Sequence, residues 1–133
     1  MRDGINSSAL TSPVGPFSHA VKFEGVIYLS GQVAQDPATG QLLEGDAGIQ
    51  SEQIFKNLQL LLKDLGRDFA DVLKVNVYLT SMSDFALMNS IYARHFTAPY
   101  PARTTVAVAA LPLGARVEME LIVAAQDWNE QIK

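Results

Sequence analysis

Residues 47–80, AGIQSEQIFKNLQLLLKDLGRDFADVLKVNVYLT, decide the fold because a helix pattern is followed directly by a strand pattern. Six apolar residues recur at helical spacing over 47–65, and Gly66 stands where a C-terminal cap is expected. These residues are Ile54, Phe55, Leu58, Leu61, Leu62 and Leu65. Residues 72–80 then alternate between apolar and polar side chains. The apolar set is Val75, Val77 and Leu79, and the polar set is Lys74, Asn76 and Tyr78. This stretch therefore predicts a helix followed by a strand with one buried face.

On the N-terminal side, two short apolar runs predict a β-hairpin. The strands are expected over 18–23 and 26–30, with the turn at Gly25. The residues before Pro16 are rich in Ser, Gly and Pro and predict a loop or a strand-like arm. A turn is predicted over 36–40, because Pro fixes φ and Gly accepts positive φ.

On the C-terminal side, a second helix is predicted to begin after Ser81 or Ser83 and to run to about Phe96, where Pro99 and Pro101 stop it. Its apolar face has the 3.6-residue period. That face comprises Phe85, Met88, Ile91, Tyr92 and Phe96.

Two strands are predicted over 103–109 and 116–124, joined by a turn at 112–114. The order ββαβαββ predicts an α+β two-layer sandwich, with a mixed sheet and both helices on one face. The other face would carry apolar side chains, which predicts that other subunits cover it in a homo-oligomer with clefts between subunits. These side chains are Tyr28, Val106, Val108 and Ile122.

Length and composition predict one globular domain covering residues 1–133, since a second domain would be too small for its own core. The net charge of -4 and the scattered Lys and Arg residues argue against a nucleic-acid partner. With no cysteine, disulfides, thiolate metal sites and Cys nucleophiles are excluded. The longest apolar-rich stretch, 105–113, is too short to cross a membrane, and residues 1–10 resemble no targeting peptide. We expect a cytoplasmic protein without membrane contacts.

Few residues carry obvious chemistry. The two histidines, His19 and His95, form no recognised zinc pattern, so no metal is expected. Arg103 begins an otherwise uncharged strand, and its planar fork could bind a carboxylate, although a solvated edge or a structural ion pair is the commoner role. Glu118 lies on the polar face of the last strand, where it is either a solvated charge or a general acid/base.

Five short motifs occur in order along nearly the whole chain. They are Gly15-Pro16-Phe17-Ser18-His19-Ala20, Tyr28-Leu29-Ser30-Gly31-Gln32, Asp84-Phe85 with Asn89, Pro101-Ala102-Arg103-Thr104-Thr105, and Glu118-Met119-Glu120. Together they resemble the motifs of the RidA family, also called the YjgF family. The resemblance implies a chorismate-mutase-like fold, a homotrimer with sites at the subunit interfaces, and no cofactor. It also implies hydrolytic deamination of 2-aminoacrylate-like or 2-iminopropanoate-like acids to 2-oxo acids and ammonia.

Carried over by position, the resemblance implies that Arg103 binds the substrate carboxylate and that Glu118 holds the hydrolytic water. The backbone around Ser30 and Gly31 and at Thr105 would frame the pocket. Asn89, on the second helix, would have a supporting role in the same site.

The chain departs from the family pattern at three positions. Phe17 stands where better-known members have Tyr and would still line the substrate site, with one hydroxyl fewer. Thr105 stands where many have Cys. His19 stands where Gln or Gly is commoner, and we expect it to be a surface strand residue that does not contact the ligand.

Two further functions stay open. Phe17 and His19 could adapt the pocket to a larger substrate, as in a 2-aminomuconate-type deaminase. A non-catalytic binder of small carboxylates or 2-oxo acids would use the same pocket without turnover. Family members are also described as ribonucleases, a role that the acidic charge disfavours here.

Overall fold

The computed structural model describes residues 1–126, which form two α-helices and six β-strands. The helices are α1 (Ala47–Asp64) and α2 (Phe85–Tyr92). The strands are β1 (Asp3–Ile5), β2 (Ala20–Phe23), β3 (Val26–Leu29), β4 (Val72–Leu79), β5 (Ala102–Ala107) and β6 (Val117–Ala124). No helix in this part of the chain is both long enough and apolar enough to cross a membrane.

The strands form one mixed sheet in the order β1-β2-β3-β6-β4-β5. β4 and β5 pair in parallel, and the other neighbouring strands pair antiparallel. Although β5 and β6 follow each other in the chain, β4 lies between them. The strand that carries Arg103 is therefore at an edge of the sheet, and the strand that carries Glu118 is inside it.

Helix α1 has well-defined caps at both ends. The Asp46 side chain accepts a hydrogen bond from the Ile49 backbone N–H at 2.9 Å. At the other end Gly66 has a φ of +70°, and the Arg67 N–H donates to the Leu62 carbonyl at 2.8 Å. This is a Schellman motif, which requires the left-handed backbone that glycine adopts without strain. The predicted helix and its glycine cap are confirmed.

The core lies between the two helices and one face of the sheet. On β6 buried and half-buried residues alternate, so that Val117, Met119, Leu121 and Val123 face the helices. The opposite face of the sheet, which we call the helix-free face, carries Tyr28, Val106 and Ile122, as predicted. Tyr28 is 51% exposed and Val106 is 41% exposed, so residues 1–126 do not cover this face.

The ends of several elements differ from the sequence predictions. The predicted ββαβαββ order lacks β1, which pairs with β2 and forms one edge of the sheet. The prediction that the second helix reaches Phe96 was wrong, because α2 ends at Tyr92. The next N–H groups, of Arg94 and His95, bond three residues back instead of four, which tightens the last turn. Phe96 still packs in the core at 5% exposure.

Candidate functional site

Arg103 faces α2. Its register partner across the parallel β4–β5 pair is the buried Val75, and parallel partners point to the same face of a sheet. The Arg103 Nη1 donates to Asn89 Oδ1 at 2.7 Å. The Arg103 Cζ lies 4.6 Å from the ring centroid of Tyr92 and 5.6 Å from that of Phe85. We call Phe85, Asn89, Tyr92 and Arg103 the Arg103 cluster.

The Arg103 guanidinium has no carboxylate partner within residues 1–126. The side chain is nevertheless only partly exposed, so it is not a freely solvated charge either. Of its five N–H donors, one is used by Asn89 in this part of the chain. The structural ion pair considered from the sequence is absent among the described residues, and the remaining donors can bind a carboxylate bidentately.

Thr105 lies two residues beyond Arg103 on the same side of β5. Its hydroxyl is buried and has no hydrogen-bond partner within the described residues. A buried hydroxyl without a partner is uncommon and needs an explanation. The role predicted for Thr105 used its backbone, so the unpaired side chain is an additional feature that the sequence did not indicate.

Glu118 faces the opposite side of the sheet from Arg103. It pairs with Tyr78 across the β4–β6 ladder and lies against the backbone of Gly31. A Cβ atom added to Gly31 would be 2.6 Å from Glu118 Oε2, which is closer than non-bonded atoms allow. Within this chain the Gly31 backbone therefore lies against the Glu118 carboxylate, in a space that a side chain at position 31 would fill.

The electrostatics around Glu118 depend on Glu120. Glu120 accepts hydrogen bonds from the Tyr78 hydroxyl and, at 3.0 Å, from Asn76 Nδ2. Burial, followed by the charge of Glu120, raises the pKa of the Glu118 carboxyl. The hydrogen bond to Glu120, burial and the two carboxylate charges raise the pKa of Tyr78 to about 12. Glu120 thus receives two hydrogen-bond donors, while burial and the neighbouring charge make the Glu118 carboxyl bind a proton more readily.

We call Gly31, Asn76, Tyr78, Glu118 and Glu120 the Glu118 cluster. Ser30 and Phe17 lie near it. The Ser30 hydroxyl donates to the Ser18 carbonyl at 2.6 Å, which fixes the backbone leading into Gly31. Phe17 is 50% exposed and lines a small cavity of about 60 Å³ together with Gly31.

The prediction that His19 is a surface residue was wrong. His19 is 4% exposed, and its Nδ1 accepts a hydrogen bond from the Ser7 backbone N–H at 2.9 Å. Since Nδ1 accepts, the proton is on Nε2, which donates to the Thr11 carbonyl at 2.8 Å. Ser7 also bonds to Asp64 at the end of α1. His19 therefore fastens the N-terminal arm to the domain, a role that the sequence could not indicate because Ser7 and Thr11 carry no pattern.

The sequence-predicted site residues thus fall into two groups on opposite faces of the sheet. Arg103, Asn89 and Thr105 lie on the α2 side, whereas Glu118 lies on the other face beside the Gly31 backbone, which follows Ser30. Phe17 lines a cavity together with Gly31. Five further residues support these groups: Phe85, Tyr92, Asn76, Tyr78 and Glu120. The spacing of Phe85, Asn89 and Tyr92 along one helix could have identified Phe85 and Tyr92. The contacts of Asn76 and Tyr78 depend on strand pairing that the sequence did not predict.

Comparisons with known proteins agree with this fold. The family model described as Endoribonuclease L-PSP matches residues 7–125. The chain is 43% identical over 122 residues to a mouse (Mus musculus) protein named 2-iminobutanoate/2-iminopropanoate deaminase, covering 92% of this chain and 90% of that protein. It is 42% identical to RidA from an Antarctic Psychrobacter, with a TM-score of 0.87 over 92% of this chain and 98% of that one.

A third relative was crystallised with a small molecule. TdcF from E. coli, solved with bound serine, is 28% identical and has a TM-score of 0.84, covering 92% of this chain and 98% of that chain. The fold and the matches together define an α+β domain of the Rid type. The chain belongs to the family of that model, the RidA (YjgF) family.

Proposed function

We propose that this protein hydrolyses reactive 2-enamine and 2-imine acids, such as 2-iminopropanoate and 2-iminobutanoate, to 2-oxo acids and ammonia. The name and 43% identity of the mouse relative support this reaction. The observation that carries the proposal is the Arg103 guanidinium, which is positioned by neutral groups and has no carboxylate partner within residues 1–126. A substrate that bears a carboxylate next to its imine carbon meets this requirement.

The reaction needs little machinery once the substrate is oriented. Water adds to the electrophilic carbon of the protonated imine, and the resulting carbinolamine loses ammonia to leave the 2-oxo acid. In our proposal Arg103 holds the carboxylate, and Glu118 accepts a proton from the attacking water and returns it to the departing nitrogen. The raised pKa of the Glu118 carboxyl suits this exchange, because a pKa closer to the working pH lets one group both accept and return a proton.

The active site is proposed to lie between two copies of the chain. Arg103 and Glu118 point to opposite faces of one sheet, so a single chain cannot present both to one small substrate. An interface that joins the α2 side of one copy to the helix-free face of the next would bring them together. The exposed Tyr28 and Val106 on the helix-free face support its burial in such an assembly. We propose a homotrimer in which each interface holds one site.

In this proposal Asn89 supports Arg103, the backbone at Ser30 and Gly31 together with Thr105 frames the substrate, and Phe17 lines the entrance.

The protein works without a cofactor or metal and acts in the cytoplasm. Neither nucleic acid nor membrane is a proposed partner. Fractionation of cells expressing the tagged chain tests the location.

The direct test uses imines generated in situ by an amino-acid oxidase or a threonine dehydratase and captured with semicarbazide. Wild-type protein should lower the capture rate and speed ammonia release, whereas Arg103→Ala should not. Arg94→Ala is the matched control, because Arg94 pairs with Glu52 on the exposed side of α1. If wild type and Arg103→Ala are equally inactive on every imine tested, from three-carbon acids to 2-aminomuconate, the deaminase proposal is wrong.

A second candidate is a non-catalytic binder of small carboxylates, which the serine bound to TdcF favours. Calorimetry with serine and with 2-oxobutanoate separates the two. Binding that depends on Arg103, without any acceleration of imine hydrolysis, would support the binder.

A further inference from the structure

The Arg103 guanidinium is held by uncharged groups. Its contacts within residues 1–126 are the amide oxygen of Asn89 and the ring faces of Tyr92 and Phe85. A carboxylate in their place would fix the side chain equally well but would neutralise much of its charge. Ring faces attract a cation through their quadrupole and leave its charge available to a further anion.

Tyr92 is the firmest of these supports. It is the last residue of α2 and is 6% exposed. Its ring packs against Phe96 at 4.6 Å and against Phe55 at 6.1 Å between ring centroids. The ring therefore belongs to the core, and its orientation does not depend on Arg103.

The three supports share one face of α2. Phe85, Asn89 and Tyr92 are spaced by four and three residues, which places them in line along a helix. The guanidinium is a planar fork, and bidentate binding requires that its plane and direction be set before the carboxylate arrives. One hydrogen bond to Asn89 leaves rotation about that bond free, whereas contact with a ring face restricts it.

We propose that Tyr92, assisted by Phe85, is a positioning residue that sets the orientation in which the Arg103 guanidinium binds the substrate carboxylate. This inference rests on the proposed function, which assigns the carboxylate to Arg103. Tyr92 acts through the face of its ring. Its hydroxyl is buried without a partner among the described residues, so the hydroxyl is not required for this role.

The test compares three variants at two neighbouring buried rings, those of Tyr92 and Phe96. Tyr92→Leu removes the ring beneath Arg103, Tyr92→Phe keeps the ring without the hydroxyl, and Phe96→Leu is the matched control. Phe96 is 5% exposed and packs on Tyr92, but no ring contact joins it to Arg103 within residues 1–126. Both Leu variants therefore disturb the core to a similar degree.

For Tyr92→Leu we expect the KM for a 2-imino acid to rise about tenfold with a smaller change in kcat, because substrate binding is weakened. Tyr92→Phe should restore the KM to within about twofold of wild type, and Phe96→Leu should stay within the same range. A purely structural role would lower the folded fraction equally in both Leu variants, which changes the apparent kcat and not the KM.

A second readout does not depend on activity. Protons above an aromatic ring resonate upfield, so the Arg103 side-chain signals in NMR spectra should shift downfield in Tyr92→Leu and stay in place in Tyr92→Phe and Phe96→Leu. Unchanged Arg103 signals in Tyr92→Leu would overturn the proposal even if no imine is hydrolysed. An unchanged KM in Tyr92→Leu, with Arg103→Ala inactive, would overturn it while leaving the proposed function intact.

Discussion

Arg103 and Glu118 lie on opposite faces of one sheet and are held in different ways. The Arg103 cluster surrounds its cation with an amide and two rings, so the positive charge is oriented but not neutralised. The Glu118 cluster places two carboxylates on one strand and gives hydrogen-bond donors to Glu120. Glu118 instead lies against the bare backbone of Gly31.

This difference assigns a separate task to each cluster. A positive charge that is oriented by neutral groups and has no carboxylate partner within residues 1–126 suits the binding of an anion. A carboxyl that is half-buried beside a second carboxylate suits proton transfer, because its pKa is raised and its two protonation states are closer in free energy. Substitutions in both clusters test this division of tasks.

Glu118→Gln should give the largest loss, since it removes the proposed proton carrier and keeps the shape of the side chain. We expect kcat for imine hydrolysis to fall about 10²- to 10⁴-fold with a small change in KM. Ammonia release under saturating imine measures this. Glu52→Gln is the control, because Glu52 pairs with Arg94 on the protein surface. A larger effect on KM than on kcat would assign Glu118 to substrate binding and contradict the separate tasks of the two clusters.

Arg103→Ala should mainly affect binding. Loss of the charge-assisted hydrogen bonds to a carboxylate is expected to lower kcat/KM about 100-fold, chiefly through KM. Arg103→Lys keeps the charge without the planar fork and should recover part of this loss. Steady-state kinetics on one imine measure both variants, and a fall in kcat alone would contradict the assignment.

A mixture of the Arg103→Ala and Glu118→Gln variants tests whether the Arg103 cluster of one copy meets the Glu118 cluster of another. When Arg103→Ala and Glu118→Gln chains are unfolded together and refolded in equal amounts, about a quarter of the interfaces should carry both native residues. Activity should therefore return, although each variant is nearly inactive alone. If the refolded mixture stays inactive while wild type refolds to full activity, the site does not combine residues from two copies.

His19→Ala tests whether the N-terminal arm, which His19 fastens to the domain, contributes to catalysis at the Glu118 cluster. The change leaves the Ser7 N–H and the Thr11 carbonyl without their partner, which should destabilise the fold by about 2 kcal/mol. Chemical denaturation measures the loss, and His19→Gln should lose less because it keeps a donor and an acceptor. Reduced kcat in His19→Ala at a temperature where it is fully folded would link the arm to catalysis.

Glu120→Gln should have the smallest effect, and it acts on the pH dependence. Because burial and Glu120 raise the pKa of the Glu118 carboxyl, the acid limb of kcat/KM should lie above the usual range of a glutamate. Removal of the Glu120 charge lowers the pKa of Glu118, so the limb should move to lower pH. A pH–rate profile of both proteins measures the shift, and a limb that moves to higher pH would contradict the assignment.

Much of the fold could be predicted from the sequence because local patterns decide it. The period of Ile54, Phe55 and Leu58 identified α1, and the alternation around Val75 identified β4. Ends were less predictable, as at α2, where Phe96 kept the apolar period although the helix had already ended at Tyr92. Apolar spacing indicates which side chains are buried. A side chain can reach the core from a turn as well as from a helix.

The candidate site was predictable as a set of residues but not as an arrangement. The motifs around Gly31, Arg103 and Glu118 were recognisable in the chain, and Arg103 stood out as a charge at the start of an otherwise uncharged strand. Their positions on opposite faces could not be predicted, because that depends on how the strands pair. The burial of His19 was also unpredictable, since its partners are backbone groups of a patternless arm.

Most of the helices and strands, the family motifs and the identity of the charged groups follow from the local sequence, because these depend on residues that are close along the chain. The tertiary structure alone decided that β4 lies between β5 and β6, that α2 supports Arg103 with ring faces, and that Glu120 rather than Glu118 receives the donors of Tyr78 and Asn76. The hydrogen bond from Asn76 to Glu120 alone joins residues 44 positions apart. Chain folding brings such residues together through the packing of the whole sheet, which no local pattern records.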